Sequence, residues 1–350
     1  MTARRQSVKV RTRGVDIGGG SRVTVQSMLN RLPGDIRGNV EQACVLERAG
    51  CDIIRVAVAD KEAVALIPAL RSAVKAPIVA DIHFDYRLAL ACVAAGADKI
   101  RLNPGNIGSD ERVRQVADAC KAAGIPIRIG VNAGSLEKEL LAKYGGPTPE
   151  ALCESALRHA SLLEKHDFRD IVLSIKSSDV PVTVEAYRHV AARCEYPLHI
   201  GITEAGTMRM GLIKSAAGIG ALLLEGLGDT IRVSLTDEPL AEVAAGIDIL
   251  KASGVRREGP ELVSCPTCGR TRIDIIKLAS EVEQALAGCT KNVKIAVMGC
   301  AVNGPGEARE ADIGIAGGDG VGLLFKKGKI IKKVSEDKIV EELLRELERL

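Results

Sequence analysis

The sequence predicts an α/β protein, a (β/α)8 TIM barrel followed by a small α/β domain, and three observations carry that expectation. Short β-branched runs alternate with amphipathic stretches over about 250 residues, which is the span of a closed eightfold barrel. Charged side chains recur at the C-terminal ends of those runs. Beyond Gly254 the texture changes, and a polar, proline-containing stretch, Val255 to Glu261, leads into a cysteine-bearing segment.

The strand candidates are Val23–Gln26, Ile53–Val58, Ile78–Ile82, Ile100–Leu102, Ile127–Val131, Ile171–Ile175, Leu198–Ile202 and Ile231–Leu235. Between them lie helical patterns, several closed by a glycine (Gly50, Gly96, Gly124) where a left-handed cap is needed. Thr148 followed by Pro149 reads as an N-cap and first turn. A doubly wound open sheet is the competing architecture. No G-x-G-x-x-G follows the first strand, which argues against its dinucleotide-binding form. The boundaries expected are a barrel over 1–253, a hinge over 254–264 and a second domain over 265–350.

Composition fits this plan. With no Trp, three Phe and four Tyr, the core must rest on Val, Ile, Leu and Ala, as buried parallel strands do. A net charge of +3 from 48 basic and 45 acidic side chains is too balanced to imply a nucleic-acid partner. No apolar run approaches the roughly 20 residues of a membrane span, so no membrane association is expected and the cytoplasm is the default location. Six of the ten cysteines (Cys44, Cys51, Cys92, Cys120, Cys153, Cys194) are scattered singly and read as core thiols.

The charges at the strand ends are Arg55, Arg101, Arg128, Lys176 and Arg232. A local pattern recurs as Asp52-Ile-Ile-Arg55, Asp98-Lys-Ile-Arg101 and Asp229-Thr-Ile-Arg232. Burying one charge in a strand costs several kcal/mol unless it is paired. Cations on five different strands point to one destination, the C-terminal mouth where barrels place their sites. Asp81 and Glu204 are the acids expected at that level, with His83, Asn103, Asn132 and Ser234 as hydrogen-bonding groups. An internal salt-bridge network would leave cations in surplus, whereas an anion with several phosphate oxygens would use them.

In the second domain Cys265-Pro-Thr-Cys268-Gly-Arg270 precedes Met298-Gly-Cys300-Ala-Val-Asn-Gly-Pro-Gly-Glu307. The first motif is common in structural zinc sites, but no second C-x2-C and no histidine after His199 completes one. Cys289 is the other thiol available. Three thiolates plus the Glu307 carboxylate would suit a [4Fe–4S] cluster with one weakly held iron. Iron–sulfur, zinc and a redox dithiol all remain open on spacing alone. The lysine-rich Lys326–Lys333 segment reads either as an edge protected by charge or as a docking patch for an acidic protein.

Longer segments carry a resemblance. VQSM (25–28), ADIHFDYRLAL (80–90), IRLNPGNIG (100–108), RIGVNAGSLEK (128–138), LHIGITEAG (198–206), IRVSLTDEP (231–239), CPTCGR (265–270) and MGCAVNGPGEA (298–308) occur in order. Together they resemble the 4-hydroxy-3-methylbut-2-enyl diphosphate synthases of the methylerythritol phosphate route to isoprenoids, in their bacterial two-domain form. The resemblance implies reductive opening and dehydration of 2-C-methyl-D-erythritol 2,4-cyclodiphosphate by two electrons, with reduced flavodoxin or ferredoxin as donor. It implies a [4Fe–4S] cluster on Cys265, Cys268, Cys300 and Glu307. Arg55, Arg101, Arg128, Lys176, Arg232 and Ser234 would hold the diphosphate, Asp81, His83, Asn103 and Asn132 would line the site, and Glu204 would donate a proton. The loop Leu29-Asn30-Arg31-Leu32-Pro33 departs from the family's Thr-Asn-Thr pattern. A homodimer is also implied. In it each cluster domain would serve the other chain's barrel, because the last barrel helix ends on the face away from the mouth. A zinc-stapled barrel that binds a phosphorylated ligand without redox chemistry is the alternative.

Overall fold

The computed structural model describes residues 3–300, 306 and 308–350, so Glu307 lies outside the described residues. The chain divides into two compact units, Met1–Arg256 and Arg257–Leu350.

In the first unit, a hairpin of β1 (Val10–Thr12) and β2 (Val15–Ile17) precedes eight parallel strands. These are β3 (Thr24–Met28), β4 (Ile53–Ala57), β5 (Ile78–Asp81), β6 (Lys99–Leu102), β7 (Ile127–Asn132), β8 (Ile171–Lys176), β9 (His199–Ile200) and β10 (Thr230–Ile231). Their order is β8-β7-β6-β5-β4-β3-β10-β9, and a bridge between Leu173 and Leu198 joins the two ends, closing the barrel. Each expected strand is present. β9 and β10 are shorter than expected, and just beyond them the backbones run close: a Cβ on Gly201 would stand 2.4 Å from the Arg232 carbonyl oxygen.

The threefold Asp-x-Ile-Arg pattern now has a physical account. The Oδ2 atoms of Asp52, Asp98 and Asp229 accept the backbone N–H groups of Val25, Ile78 and Leu198 at 2.8, 2.9 and 2.8 Å. Each aspartate thereby ties the start of its own strand to the start of a neighbour and sets the register. The arginine three positions on then lies at the opposite end of the strand, facing inward by the two-residue alternation.

Outward residues such as Ile54, Ile100, Ile129 and Leu173 pack under the helices in one continuous apolar core, which also buries Cys51, Cys92, Cys120 and Cys153. Burial raises the thiols of Cys51, Cys92 and Cys120 to about 12, as inert core thiols require. The hairpin was not foreseen. Its Val10 and Ile17 pack against inward-facing Ile53, Val79 and Val172, plugging the N-terminal end of the barrel with apolar side chains.

The second unit has a five-stranded sheet in the order β11-β12-β13-β14-β15. β11 (Glu261–Ser264), β12 (Lys294–Met298) and β13 (Ile313–Gly318) run parallel; β14 (Val321–Lys326) and β15 (Lys329–Ser335) continue antiparallel. β11 falls inside the stretch expected to be a hinge, where Leu262 and Val263 pack against the apolar clusters on the sheet. The helices Ile275–Ala285 and Ile339–Glu348 cover one face with Leu278, Val282, Leu343 and Leu347. Lysines 329, 332 and 333 lie on β15, the sheet's edge, and Lys332 pairs with Glu342. That is the arrangement of a charge-protected edge.

Candidate active site

The barrel mouth gathers the cations that the alternation aimed inward. Arg55, Arg101, Arg128, Lys176, Arg232 and Asn132 line one pocket, together with Gly130, Ser174 and Thr203. These residues come from β4, β6, β7 and β8 and from the segments that follow β9 and β10.

Asp81 organises one half of the ring. It is fully buried, and both oxygens are used: Arg55 donates to Oδ2, and Arg101 donates to Oδ1 at 3.0 Å. Burial alone would raise the carboxyl, but Arg55 and Arg101 outweigh it and hold the group well below the usual carboxylate range. Arg101 also donates to the Gly130 carbonyl at 3.0 Å, and Asn103 Oδ1 accepts the Gly130 N–H at 2.8 Å. Gly130 must lack a side chain, since a Cβ there would lie 2.7 Å from Arg101 Nε. His83 is more exposed, with Nε2 3.7 Å from Asp81.

Glu242 organises the other half and was not foreseen. It is buried in the first turn of the helix Pro239–Ala252, accepts from Ser27 at 3.2 Å and Leu235 N at 3.0 Å, and faces Arg232 at 3.3 Å. In the sequence it looks like any acid at a helix N-terminus. Lys99 was also missed. It lies two residues before Arg101 on the same inward face and is completely buried. Alternation applied to the whole of Asp98-Lys-Ile-Arg101 would have found it.

Among the described residues, Arg128, Lys176 and Lys99 make no ion pair. Lys176 is pushed well below an ordinary amine, first by burial and then by Arg232 and Arg128. Carboxylates hold two arginines on one side and one on the other, and the cations between them have no counterion. Such a pocket is built for an anion with several oxygens. Glu204 and Ser234 do not line it. Ser234 is half-buried, two residues beyond Arg232. Glu204 is exposed, directly after pocket residue Thr203, and holds a left-handed backbone (φ 51°) that non-glycine residues adopt at some energetic cost.

The second unit brings the two cysteine motifs together. They leave the C-terminal ends of the adjacent parallel strands β11 and β12, where Ser264 pairs with Val297. The Gly299 N–H donates to Cys265 Sγ at 3.1 Å, and the Arg272 N–H to the Gly299 carbonyl at 2.9 Å. Cys268 is exposed, and Arg270 lowers its thiol through backbone and side-chain hydrogen bonds. Cys289 instead packs against the apolar core. No three Cys, His, Asp or Glu side chains among the described residues converge on a point as a single metal ion needs. Cys265 and Cys268 on one loop and Cys300 on the adjacent one supply thiols of the kind that iron–sulfur clusters and zinc ions both take.

Known proteins agree with this construction. The family model of the GcpE TIM-barrel domain matches residues 7–247, and that of the GcpE protein C-terminal domain matches 261–349. A 4-hydroxy-3-methylbut-2-en-1-yl diphosphate synthase (flavodoxin) from Clostridium perfringens is 57% identical over 347 residues, 99% of both chains. Its counterpart from Caldanaerobacter subterraneus subsp. tengcongensis is 60% identical over 334 residues, 95% of this chain and 94% of that one. Among solved structures, Yersinia pestis dihydropteroate synthase superimposes with a TM-score of 0.52 at 16% identity, covering 71% of this chain and 99% of its own. The Geobacillus kaustophilus 3-dehydroquinate dehydratase gives 0.52 at 18% identity, covering 71% and 98%. These last two share the barrel fold alone, and nothing in the relatives supports a zinc-stapled, non-redox barrel. With both family domains matched in order, and relatives more than half identical across nearly its whole length, the chain belongs to the GcpE family, that of the flavodoxin-type 4-hydroxy-3-methylbut-2-en-1-yl diphosphate synthases.

Proposed function

We propose that this flavodoxin-dependent oxidoreductase opens and dehydrates 2-C-methyl-D-erythritol 2,4-cyclodiphosphate to 4-hydroxy-3-methylbut-2-enyl diphosphate. The observation that carries the substrate assignment is the cation-lined pocket whose Arg128 and Lys176 have no carboxylate partner. Arg55, Arg101, Arg128, Lys176 and Arg232 would hold the diphosphate, and Ser234 would donate from the rim. Asp81 and Asn103 would keep Arg101 and Gly130 in place, while His83 and Asn132 face the ligand's polar edge. Opening the ring breaks a carbon–oxygen bond to phosphate, and a hydroxyl group must depart as water. Glu204, exposed at the rim directly after the pocket residue Thr203, would supply the proton. The fixed guanidinium groups stabilise the negative charge that grows on the released phosphate.

The [4Fe–4S] cluster would be held by Cys265, Cys268, Cys300 and Glu307. When bound it supplies electrons, a task no side chain in the pocket can perform. Hydrogen bonds such as that from Gly299 to Cys265 tune its thiolates. Reduced flavodoxin, or a ferredoxin, would be the donor. Ten unpaired cysteines suit the reducing cytoplasm. Met210, Ile213 and Leu224 stay exposed along the helix Met208–Leu224 and would suit the contact of a homodimer. The test is anaerobic purification followed by iron and acid-labile sulfide analysis, then turnover of the cyclodiphosphate with and without reductant. Zinc in place of iron, or turnover without reductant, would refute the proposal.

A further inference from the structure

Beneath the mouth lies a layer of polar side chains that the reaction does not use. Lys99 is its centre: it is fully buried, and its Nζ has no hydrogen-bond partner among the described residues. Other strands contribute Thr24 and Gln26 (β3), Ser174 (β8), His199 (β9) and Thr230 (β10), and the pocket's own Arg55 and Arg128 are close enough to act on Lys99. His199 is as buried as Lys99, with neither ring nitrogen partnered.

The charges in this volume do not balance. Asp81 is taken by Arg55 and Arg101, and Glu242 by Arg232. Lys99, Arg128 and Lys176 are left to share no anion. Arginine does not give up its proton, so relief must come from the lysines. We propose that Lys99 is a second-tier cation of the diphosphate site, which takes up a proton when the ligand's negative charge arrives above it.

Burial is the main cause that brings Lys99 down to about 7, with Arg128 and Arg55 adding to it. An anion directly above reverses the sign of the local field and favours the charged amine again. The direction in pH follows. Near pH 6 Lys99 is already charged in the empty barrel, so binding adds no proton there. At pH 8 roughly nine-tenths of it is neutral, so binding should add up to about one. Lys176 touches the pocket and will gain a proton of its own, so Lys99 must be measured as a difference. His199 is held neutral by burial and by Arg128, Lys176 and Lys99, and at pH 8 it stays out of the count.

The inference rests on the mouth being the diphosphate site, and calorimetry separates the two claims. The anaerobic holoenzyme, without reductant so that nothing turns over, is titrated with the cyclic diphosphate at pH 8 in buffers of different ionisation enthalpy. The ligand's own acidic oxygens are fully ionised there and contribute no proton. Wild type should take up protons, and Lys99→Met should take up about one fewer. Methionine matches the length of the stem without a charge, so the fold is expected to hold. The same difference appears in affinity: over pH 7.5–9 the wild-type Kd should rise with pH by up to about tenfold per unit more steeply than that of Lys99→Met. Should Lys99→Met not fold, Lys99→Gln serves the same comparison and should likewise take up about one proton fewer than wild type at pH 8. Failure of the cyclic diphosphate to bind would overturn both the site assignment and this inference. Binding with equal proton uptake in wild type and Lys99→Met would leave the site standing and overturn the role of Lys99.

Discussion

Asp81→Asn isolates the charge on the carboxylate that Arg55 and Arg101 share. Asparagine keeps the shape and part of the hydrogen bonding, but it leaves Arg55 and Arg101 buried without their shared counterion. Removing one partner of a buried ion pair typically costs about 3–5 kcal/mol. For a barrel of this size, each kcal/mol moves the melting temperature by roughly 2–4 °C, so a drop on the order of 10 °C is expected. Differential scanning calorimetry is the assay, the barrel transition being the one that the diphosphate ligand moves. Saturation at 100 times Kd should raise wild type by about 2.7 kcal/mol. The variant should be raised further, because the ligand replaces the missing negative charge and no longer faces a carboxylate. The pH dependence has a definite sign. Asp81 is depressed in the fold, so its contribution is complete above the ordinary carboxylate value of about 3.9 and fades only as pH falls below it. The deficit of the variant should therefore be constant from pH 6 to 9. A variant that melts within 1 °C of wild type, or gains less from ligand than wild type does, would refute this account of the pocket.

Three further outcomes follow from the site. Cys265→Ser, Cys268→Ser and Cys300→Ser should each lose iron and activity, whereas Cys289→Ser, altering a thiol packed in the apolar core, should keep both in iron and sulfide assays. Glu204→Gln should bind substrate normally and lose kcat by about 10²–10⁴-fold, as expected of a general acid; a loss confined to KM would make it a binding residue. Inactive Glu204→Gln and Cys300→Ser proteins, mixed under subunit exchange, should regain activity if each site is shared between chains, and verified mixed dimers that stay inactive would exclude that arrangement.

Alternation made most of the mouth readable before any coordinates. Arg55, Arg101, Arg128, Lys176 and Arg232 each end an apolar run, and a charge there has few other reasons to exist. What escaped were residues with an innocent local explanation. Glu242 looks like a helix-stabilising acid, and its pairing with Arg232 depends on how that helix returns to β3 and β10. Lys99 precedes an isoleucine at the start of a strand, a place where solvated lysines are ordinary; only closure of the barrel buries it. The plug hairpin has three-residue strands around a turn at Gly14 (φ 75°), too short to show periodicity. Glu204 was visible as a residue, but its exposed, left-handed position was not, because backbone strain has no signature in a single sequence.

The interior of the barrel has an unusual division of labour, and it connects stability to binding. Barrels commonly fill their interior with layers of branched apolar side chains. Here the apolar layer is confined to the N-terminal end, where Val10, Ile17, Ile53, Val79 and Val172 meet. Above it come Gln26, Lys99 and His199, buried yet poorly partnered, and then the arginines of the mouth. Unpaired buried charge lowers the stability of the empty barrel. The guanidinium groups are already in place and stripped of water when a diphosphate arrives, and the lysines need only take up protons, so little must be reorganised at that moment. Apolar substitution in the middle layer should then stabilise the empty barrel and weaken its grip on the ligand. The two effects have one cause, the electrostatic repulsion that the ligand relieves. The register-setting aspartates hold the strands against that repulsion: each lies at the end of its strand remote from the mouth, where it neither neutralises the pocket nor competes with the ligand.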